Sequence, residues 1–186
     1  MPRQGFALAI ASALVLAGCG KAQEKASDKV AEKMAEKAIE SAMSKDGTQA
    51  KVNLSDGGMK VATTDAAGKT TQMEIGAAKV SEAELGVPFY PGATQTEGAS
   101  MRVASGNSLS LQVGLHSDDA PDKVAAFYRD KLRAMADGKQ LMDMSGNDGA
   151  SISLVDDKTK STLQVHVSKA DKGSDIAIMS AREGTK

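Results

Sequence analysis

Cysteine, tryptophan and an excess of either charge are what this sequence lacks. Its 186 residues include one Cys, no Trp, three Phe and two Tyr. A single thiol cannot form an intramolecular disulfide, so the stability of the chain has to come from a packed core of Leu, Ile, Val, Met and Ala. There are 23 basic and 24 acidic residues, a formal net charge of −1. Domains that bind nucleic acid carry a basic face, so this balance argues against such a partner.

Motifs for catalysis and metal binding are also missing. The sequence contains no G-x-S-x-G motif, no phosphate-binding loop and no pair of His residues at metal-ligand spacing. His116 and His166 fall on the polar phase of two predicted strands, where an exposed role is simpler than zinc ligation, which needs three or four protein ligands. Met142-Asp143-Met144 has the spacing of soft-metal carriers, but Met two residues apart on a strand is also ordinary core packing. We therefore predict a protein that is not an enzyme and has no cofactor or metal.

The N-terminal segment has the organisation of a signal peptide. The apolar run 6–16 would span only ~16 Å as a helix, about half of the ~30 Å hydrocarbon core of a bilayer. The next residues, Leu16-Ala17-Gly18-Cys19, resemble the bacterial lipobox. That resemblance implies removal of a signal peptide 1–18 and a diacylglycerol thioether on Cys19. An incidental cysteine in an ordinary signal peptide is the alternative interpretation.

Acylation of Cys19 would determine where the protein is located. Two or three acyl chains hold a protein stably on a membrane, whereas one chain binds only marginally. In Gram-negative lipoproteins an Asp after the cysteine commonly signals retention at the inner membrane, and this chain has Gly20 there. We therefore expect a cell-envelope protein, anchored through the acyl chains to the outer membrane and facing the periplasm.

Composition divides the remainder of the chain into three parts. Residues 19–47 form a lipidated N-terminus followed by a helical stalk, since 21–45 is rich in Ala, Glu and Lys and has no Gly or Pro. Pairing of this helix with another helix is the alternative. Alternating residues and Gly-containing turns predict a small β-meander over 48–77. Residues 78–186 are then expected to form an entry linker and an α+β domain, in which one amphipathic helix packs on a mostly antiparallel sheet. Apolar residues alternate with polar ones over 109–115, which predicts a strand of that sheet. The helix is expected to begin at Pro121 and to bury one face: Val124, Phe127, Tyr128, Leu132 and Met135.

Two stretches of the third part resemble a known group of proteins. VPFYPGA at 87–93 and APDKVAAFYRDKL at 120–132 are similar to motifs in a group of small bacterial lipoproteins. The resemblance covers about residues 50–182 and implies a turn, a strand, a helix and a sheet in that order. The chain departs from the pattern at Ala120, where Ser is frequent. Because the group has no assigned biochemical function, the resemblance implies no catalytic residue.

These observations favour a non-enzymatic role. The sequence predicts a lipid-anchored interaction or envelope-maintenance module that acts on an envelope protein of unknown identity. The alternative is a periplasmic small-ligand carrier, which would use the uncovered face of the sheet or a gap between helix and sheet.

The lipid anchor can be tested directly. We expect Cys19→Ser to abolish both the lipid mass on the mature N-terminus and the partition of the protein into membranes, because the thiol is the attachment atom. Mass spectrometry and membrane fractionation measure the two effects. A Cys19→Ser protein that remains membrane-bound like the wild type would show that the lipobox interpretation is wrong.

Overall fold

A computed structural model describes residues 20–45, 47–55, 57–146 and 149–184, with side chains from residue 29 onward. Cys19 and the predicted signal peptide 1–18 lie outside the described residues. The described chain forms three helices and nine strands: α1 (Gly20–Met43), β1 (Gln49–Ser55), β2 (Gly58–Thr64), β3 (Thr70–Ile75), α2 (Glu82–Leu85), β4 (Thr94–Ser105), β5 (Ser108–Ser117), α3 (Pro121–Ala134), β6 (Gln140–Gly146), β7 (Gly149–Asp156), β8 (Ser161–Lys169) and β9 (Ser174–Arg182). None of these helices is long and apolar enough to cross a bilayer.

All nine strands belong to one antiparallel sheet. Its order is β1-β2-β3-β4-β5-β9-β8-β7-β6, so a meander of five strands is joined to a second meander of four through the pairing of β5 with β9. The predicted α+β fold, with a separate small β-meander, is therefore wrong. Met73 of β3 pairs with Val103 of β4, and Ile75 pairs with Met101. Because these apolar residues match in phase, the backbone ladder continues from β3 into β4 and the sheet does not end at residue 77.

The predicted helical stalk is also wrong. Residues 20–43 are helical, but the C-terminal part of this helix, from residue 36, lies along the terminal strand β1, so the helix is not a free stalk. Side chains of α1 accept hydrogen bonds from the backbone of β1. The reason is that β1 ends the sheet, and its outward N–H groups need acceptors that a neighbouring strand would otherwise supply.

The amphipathic helix expected on the sheet is α3. Pro121 occupies its first turn, where a missing N–H costs nothing. Its inner face buries Val124, Tyr128 and Leu132 completely, whereas the neighbouring Phe127 is only half-buried. Burial also raises the pKa of the Tyr128 hydroxyl, because the phenolate would be poorly solvated there. The helix contacts β6, β7, β8 and β9, so it covers the half of the sheet formed by the last strands.

Cross-strand register divides the sheet into two faces. Residues directly opposite each other share a face. We call the face that carries α2 and α3 the covered face. One row of opposed residues on it crosses all nine strands: Asn53, Lys60, Glu74, Arg102, Leu111, Ser180, Leu163, Leu154 and Leu141. This row is polar from β1 to β4 and mostly apolar from β5 to β6. The core therefore lies over the second half of the sheet, where α3, α2 and the segment 76–93 pack on it.

Candidate functional site

The first half of the covered face carries a groove instead of a core. The groove has a volume of about 650 Å³. Its lining on the covered face is formed by Lys51, Asn53, Lys60, Ala62, Gln72, Glu74, Arg102 and Ala104, together with Glu40 of α1. Val52, Val61 and Met73, whose register places them in the row between, also border the groove. Ala62 and Ala104 are directly opposite Gln72 on the two neighbouring strands, and their short side chains leave space above the sheet.

Charged residues along the groove form ion pairs with one another. Lys60 Nζ lies 3.0 Å from Glu74 Oε1, and Arg102 Nη2 donates to Glu84 Oε1 of α2 at 2.7 Å. The same guanidinium nitrogen donates to the backbone carbonyl of Lys79 at 2.8 Å. Cations and carboxylates therefore alternate from β2 to α2, so the groove has a polar wall without a large charge of one sign. Such a lining suits a partly apolar ligand with a few polar groups.

Glu84 ties α2 to the sheet. Its backbone N–H donates to the Ser81 hydroxyl, and its carboxylate accepts from the Ser81 backbone N–H at 3.1 Å, which completes a capping box. Arg182 of β9 donates to the backbone carbonyl of Glu84 at 3.0 Å. Hydrogen bonds from Arg102 first, and then from Ser81, lower the pKa of Glu84 to about 2. A carboxylate held in this way remains ionised well into acid.

A second polar cluster fixes the YPGA turn on the helix α3. The Tyr90 hydroxyl donates to Asp119 Oδ2 at 2.7 Å, and Lys123 Nζ donates to both carboxylate oxygens at 2.9 Å. These hydrogen bonds raise the pKa values of Tyr90 and Lys123 and lower that of Asp119. The Tyr90 ring is buried and meets Phe127 edge-on, with 5.2 Å between the ring centroids. These hydrogen bonds hold the turn against the N-terminal end of α3.

The outer edge of β1 is covered by α1 through three regularly spaced hydrogen bonds. The N–H groups of Ala50, Val52 and Leu54 donate to side chains of α1 and of the residue that follows it, at 3.0, 2.8 and 2.7 Å. Their acceptors are Ser44 Oγ, Glu40 Oε1 and Glu36 Oε1, taken in that order. The sequence does show that these three acceptors are four residues apart and therefore share one face of a helix. Nothing in the sequence alone relates that face to a particular strand.

The face opposite to the covered face, which we call the open face, is rich in Met. Its central row crosses all nine strands: Leu54, Met59, Ile75, Met101, Gln112, Met179, Gln164, Ser153 and Met142. Met142 and Met144 lie on the terminal strand β6 and are 51% and 68% exposed. The interpretation of these two residues as core packing is therefore wrong. Asp143 between them points to the covered face, where Arg129 of α3 donates to its carboxylate at 2.6 Å.

The structure does not bring the two histidines together. His116 lies opposite Asp175, with Nδ1 and Oδ1 2.9 Å apart, and its Nε2 is 4.0 Å from Asp118. His166 lies opposite Ala177 in a different cross-strand row. Within the described ranges, no group of three or more His, Cys, Asp or Glu side chains is arranged to hold a metal ion. Cys19, the predicted lipidation site, is outside those ranges.

Comparison with known proteins gives no match: no family model fits the sequence, and no curated protein or solved structure resembles it significantly. The likeness to small bacterial lipoproteins thus stays a prediction from the quoted motifs.

The Arg102–Glu84 contact predicts a specific pH dependence. Because the folded-state pKa of Glu84 lies below its ordinary value of 4.5, the carboxylate stabilises the folded state above that pH, and this contribution is lost as the pH falls toward 2. We expect Glu84→Gln to lower the melting temperature at pH 7 and to converge with the wild type as the pH falls through this range. Thermal unfolding followed by circular dichroism measures both.

Glu97 supplies the matched control for this measurement. It is an exposed carboxylate on β4 with no ion pair among the described residues. Glu97→Gln should therefore leave the melting temperature nearly unchanged at every pH. Equal behaviour of the two variants would show that the Arg102 contact does not stabilise the fold.

Proposed function

We propose that this protein is a lipid-anchored component of the cell envelope that works as a non-enzymatic interaction module, with its open sheet face as the binding surface. The acyl chains on Cys19 attach it to the outer membrane, and the folded body faces the periplasm. The partner is an envelope protein that contributes a complementary apolar surface.

The observation that carries the proposal is the composition of the open face. On the described part of the chain, α2 and α3 pack on the opposite face and α1 lies along the β1 edge. The open face nevertheless carries apolar side chains from its first strand to its last: Leu54, Met59, Met73, Ile75, Met101, Val103, Val155, Met179, Met142 and Met144. Apolar side chains grouped on a surface that no described helix packs on are typical of sites of protein association. Met in particular adapts to partners of different shape.

The polar residues of the same face fit a binding surface as well. Gln112, Gln164 and Ser153 interrupt the apolar row at its centre. Protein interfaces of the non-obligate kind combine an apolar centre with hydrogen-bonding side chains. A partner surface with a few amide or hydroxyl groups would therefore satisfy this face without a large penalty from unpaired polar atoms.

The open face can be tested with a double variant at its exposed end. A photoreactive residue in place of Ser153 should give an adduct with an envelope protein in intact cells. We expect Met142→Glu with Met144→Glu to reduce that adduct at least ~tenfold, because burial of one Met side chain contributes on the order of 1.5 kcal/mol to association. Both methionines are exposed, so the fold should tolerate the change.

A pair of equally exposed apolar residues on α1 provides the control. Val30 and Met34 are 53% and 68% exposed, and neither lies on the sheet. Val30→Glu with Met34→Glu should leave the Ser153 adduct intact. If the α1 pair removes the adduct and the β6 pair does not, the binding surface is the helix and the proposal is wrong.

The groove over β1 to β4 supports a second candidate function, that of a periplasmic carrier of small ligands. Its volume of about 650 Å³ falls within the range of small-molecule sites. The polar wall of Lys60, Glu74 and Arg102 could orient a ligand, while Ala62 and Ala104 provide an apolar floor. The ligand would be an amphiphilic molecule with both an apolar part and a charged or zwitterionic part.

Filling the groove distinguishes the carrier from the interaction module. We expect Ala62→Trp to abolish most of the fluorescence gained when the amphiphilic dye 8-anilinonaphthalene-1-sulfonate binds the wild type, because the indole would occupy the floor. Ala67→Trp, in the exposed turn between β2 and β3, is the control. Unchanged dye binding by Ala62→Trp would count against a ligand site in this groove.

A further inference from the structure

The terminal strand β1 has the hydrogen-bonding capacity of a strand that could pair again. Its outward N–H groups at Ala50, Val52 and Leu54 donate to side chains, whereas its inward groups pair with β2. In the seven inner strands of the sheet, by contrast, both edges lie beside a neighbouring strand. Side-chain acceptors therefore occupy the position that another strand would take.

The geometry of α1 matches that of the strand it replaces. Acceptors four residues apart on a helix are separated by ~6 Å along its axis. Donors two residues apart on a strand are separated by ~6.8 Å. Glu36, Glu40 and Ser44 consequently meet three successive outward donors in reverse order, as an antiparallel strand would.

The remaining contacts of α1 with the folded body are shallow. Among its side chains from residue 29 to residue 43, only Glu36, Ile39 and Glu40 are half-buried, and the others are exposed. Val30 and Met34 project into solvent. Two carboxylates, one hydroxyl and one Ile thus hold the helix at the edge, and the main core over the second half of the sheet contains no residue of α1.

The sequence of β1 suits pairing with a second copy of itself. In an antiparallel arrangement centred on Val52, that residue lies opposite its own equivalent, Ala50 lies opposite Leu54, and Lys51 lies opposite Asn53. No two like charges are directly opposed, and the apolar residues all meet on the open face. The outward donors at Ala50, Val52 and Leu54 are those that this register requires.

From these contacts we infer that α1 is a displaceable guard of the β1 edge, and that β1 pairs with β1 of a second copy when α1 leaves. The pairing is isologous about a two-fold axis through Val52 and joins two nine-stranded sheets into one. The open faces of the two copies then form a single continuous surface. A strand exposed at an edge is a template for such pairing.

A cysteine at the two-fold axis tests the pairing in the full-length protein. A hydrogen-bonded antiparallel pair has a Cα–Cα distance of ~5.5 Å, within the range that a disulfide spans. Val52→Cys should therefore give a disulfide-linked dimer on oxidation. Adding Glu40→Ala and Ser44→Ala, which remove two of the three guard acceptors, should increase the dimer yield about tenfold, as a shift of ~1.4 kcal/mol in the pairing equilibrium would.

The same helix offers a matched control. Glu32→Ala with Ser41→Ala also removes one carboxylate and one hydroxyl, but from exposed positions away from the β1 donors. With this control pair added, the dimer yield should equal that of Val52→Cys alone, because the guard contacts of α1 remain intact. Equal yields from the guard and control variants, with the helical circular dichroism retained, would overturn the inference.

Hydrogen exchange in the wild-type chain supplies a second readout that does not depend on any variant. The amides of Ala50, Val52 and Leu54 should exchange at least ~100-fold faster than that of Ile178 in the centre of the sheet, because local opening of α1 exposes them. Exchange as slow as that of Ile178 would show that α1 does not open. A disulfide from Val52→Cys to a different protein, and none between copies, would also overturn the inference.

Discussion

The pairing of β5 with β9 is the constraint on which the rest of the structure depends. Among the described strands it is the one pairing that is not between sequence neighbours, and it joins a five-stranded meander to a four-stranded one. The apolar residues of the two strands, such as Val113 and Ile178, lie directly opposite each other and are buried. With β5 and β9 at the centre, the covered face gains enough apolar width for α3 and the segment 76–93 to pack on it. Neither meander alone would offer that area.

One face of the sheet performs two different tasks because its composition changes at β5. Beyond that strand it is apolar and carries the core, whereas from β1 to β4 it presents Lys60, Glu74 and Arg102 and leaves a groove open. Arg102 and Glu84 lie at the boundary, where they attach α2 to the sheet by charge-assisted hydrogen bonds. The groove is thus a consequence of where the apolar surface ends. Its polar wall is formed by the same ion pairs that position α2.

The helix that follows Cys19 relates the proposed anchor to the proposed binding surface. The C-terminal part of α1 lies along β1, so the helix that follows Cys19 is joined to the edge of the sheet. A force or a partner that acts on α1 would therefore change the accessibility of the β1 edge. The proposed guard and the proposed interaction face meet at the same strand, since Val52 and Leu54 donate to α1 and also belong to the open face.

The sequence by itself determined the local elements of this protein. Pro121, the spacing of Val124, Tyr128 and Leu132, and the apolar alternation of 109–115 were sufficient to predict α3 and β5, because these patterns reflect helix and strand periodicity within one segment. They also indicated that 21–45 is helical, and the lipobox-like Leu16-Ala17-Gly18-Cys19 predicts the anchor. Only the tertiary structure decided that β3 pairs with β4 and that α1 covers the β1 edge. It also decided that Met142 and Met144 are exposed and that a groove lies beside the core. The physical reason is that alternation states which side chains share a face, but not which strand lies beside it or what covers that face. Those outcomes follow from competition among all strands for backbone partners and apolar area, which no single segment encodes.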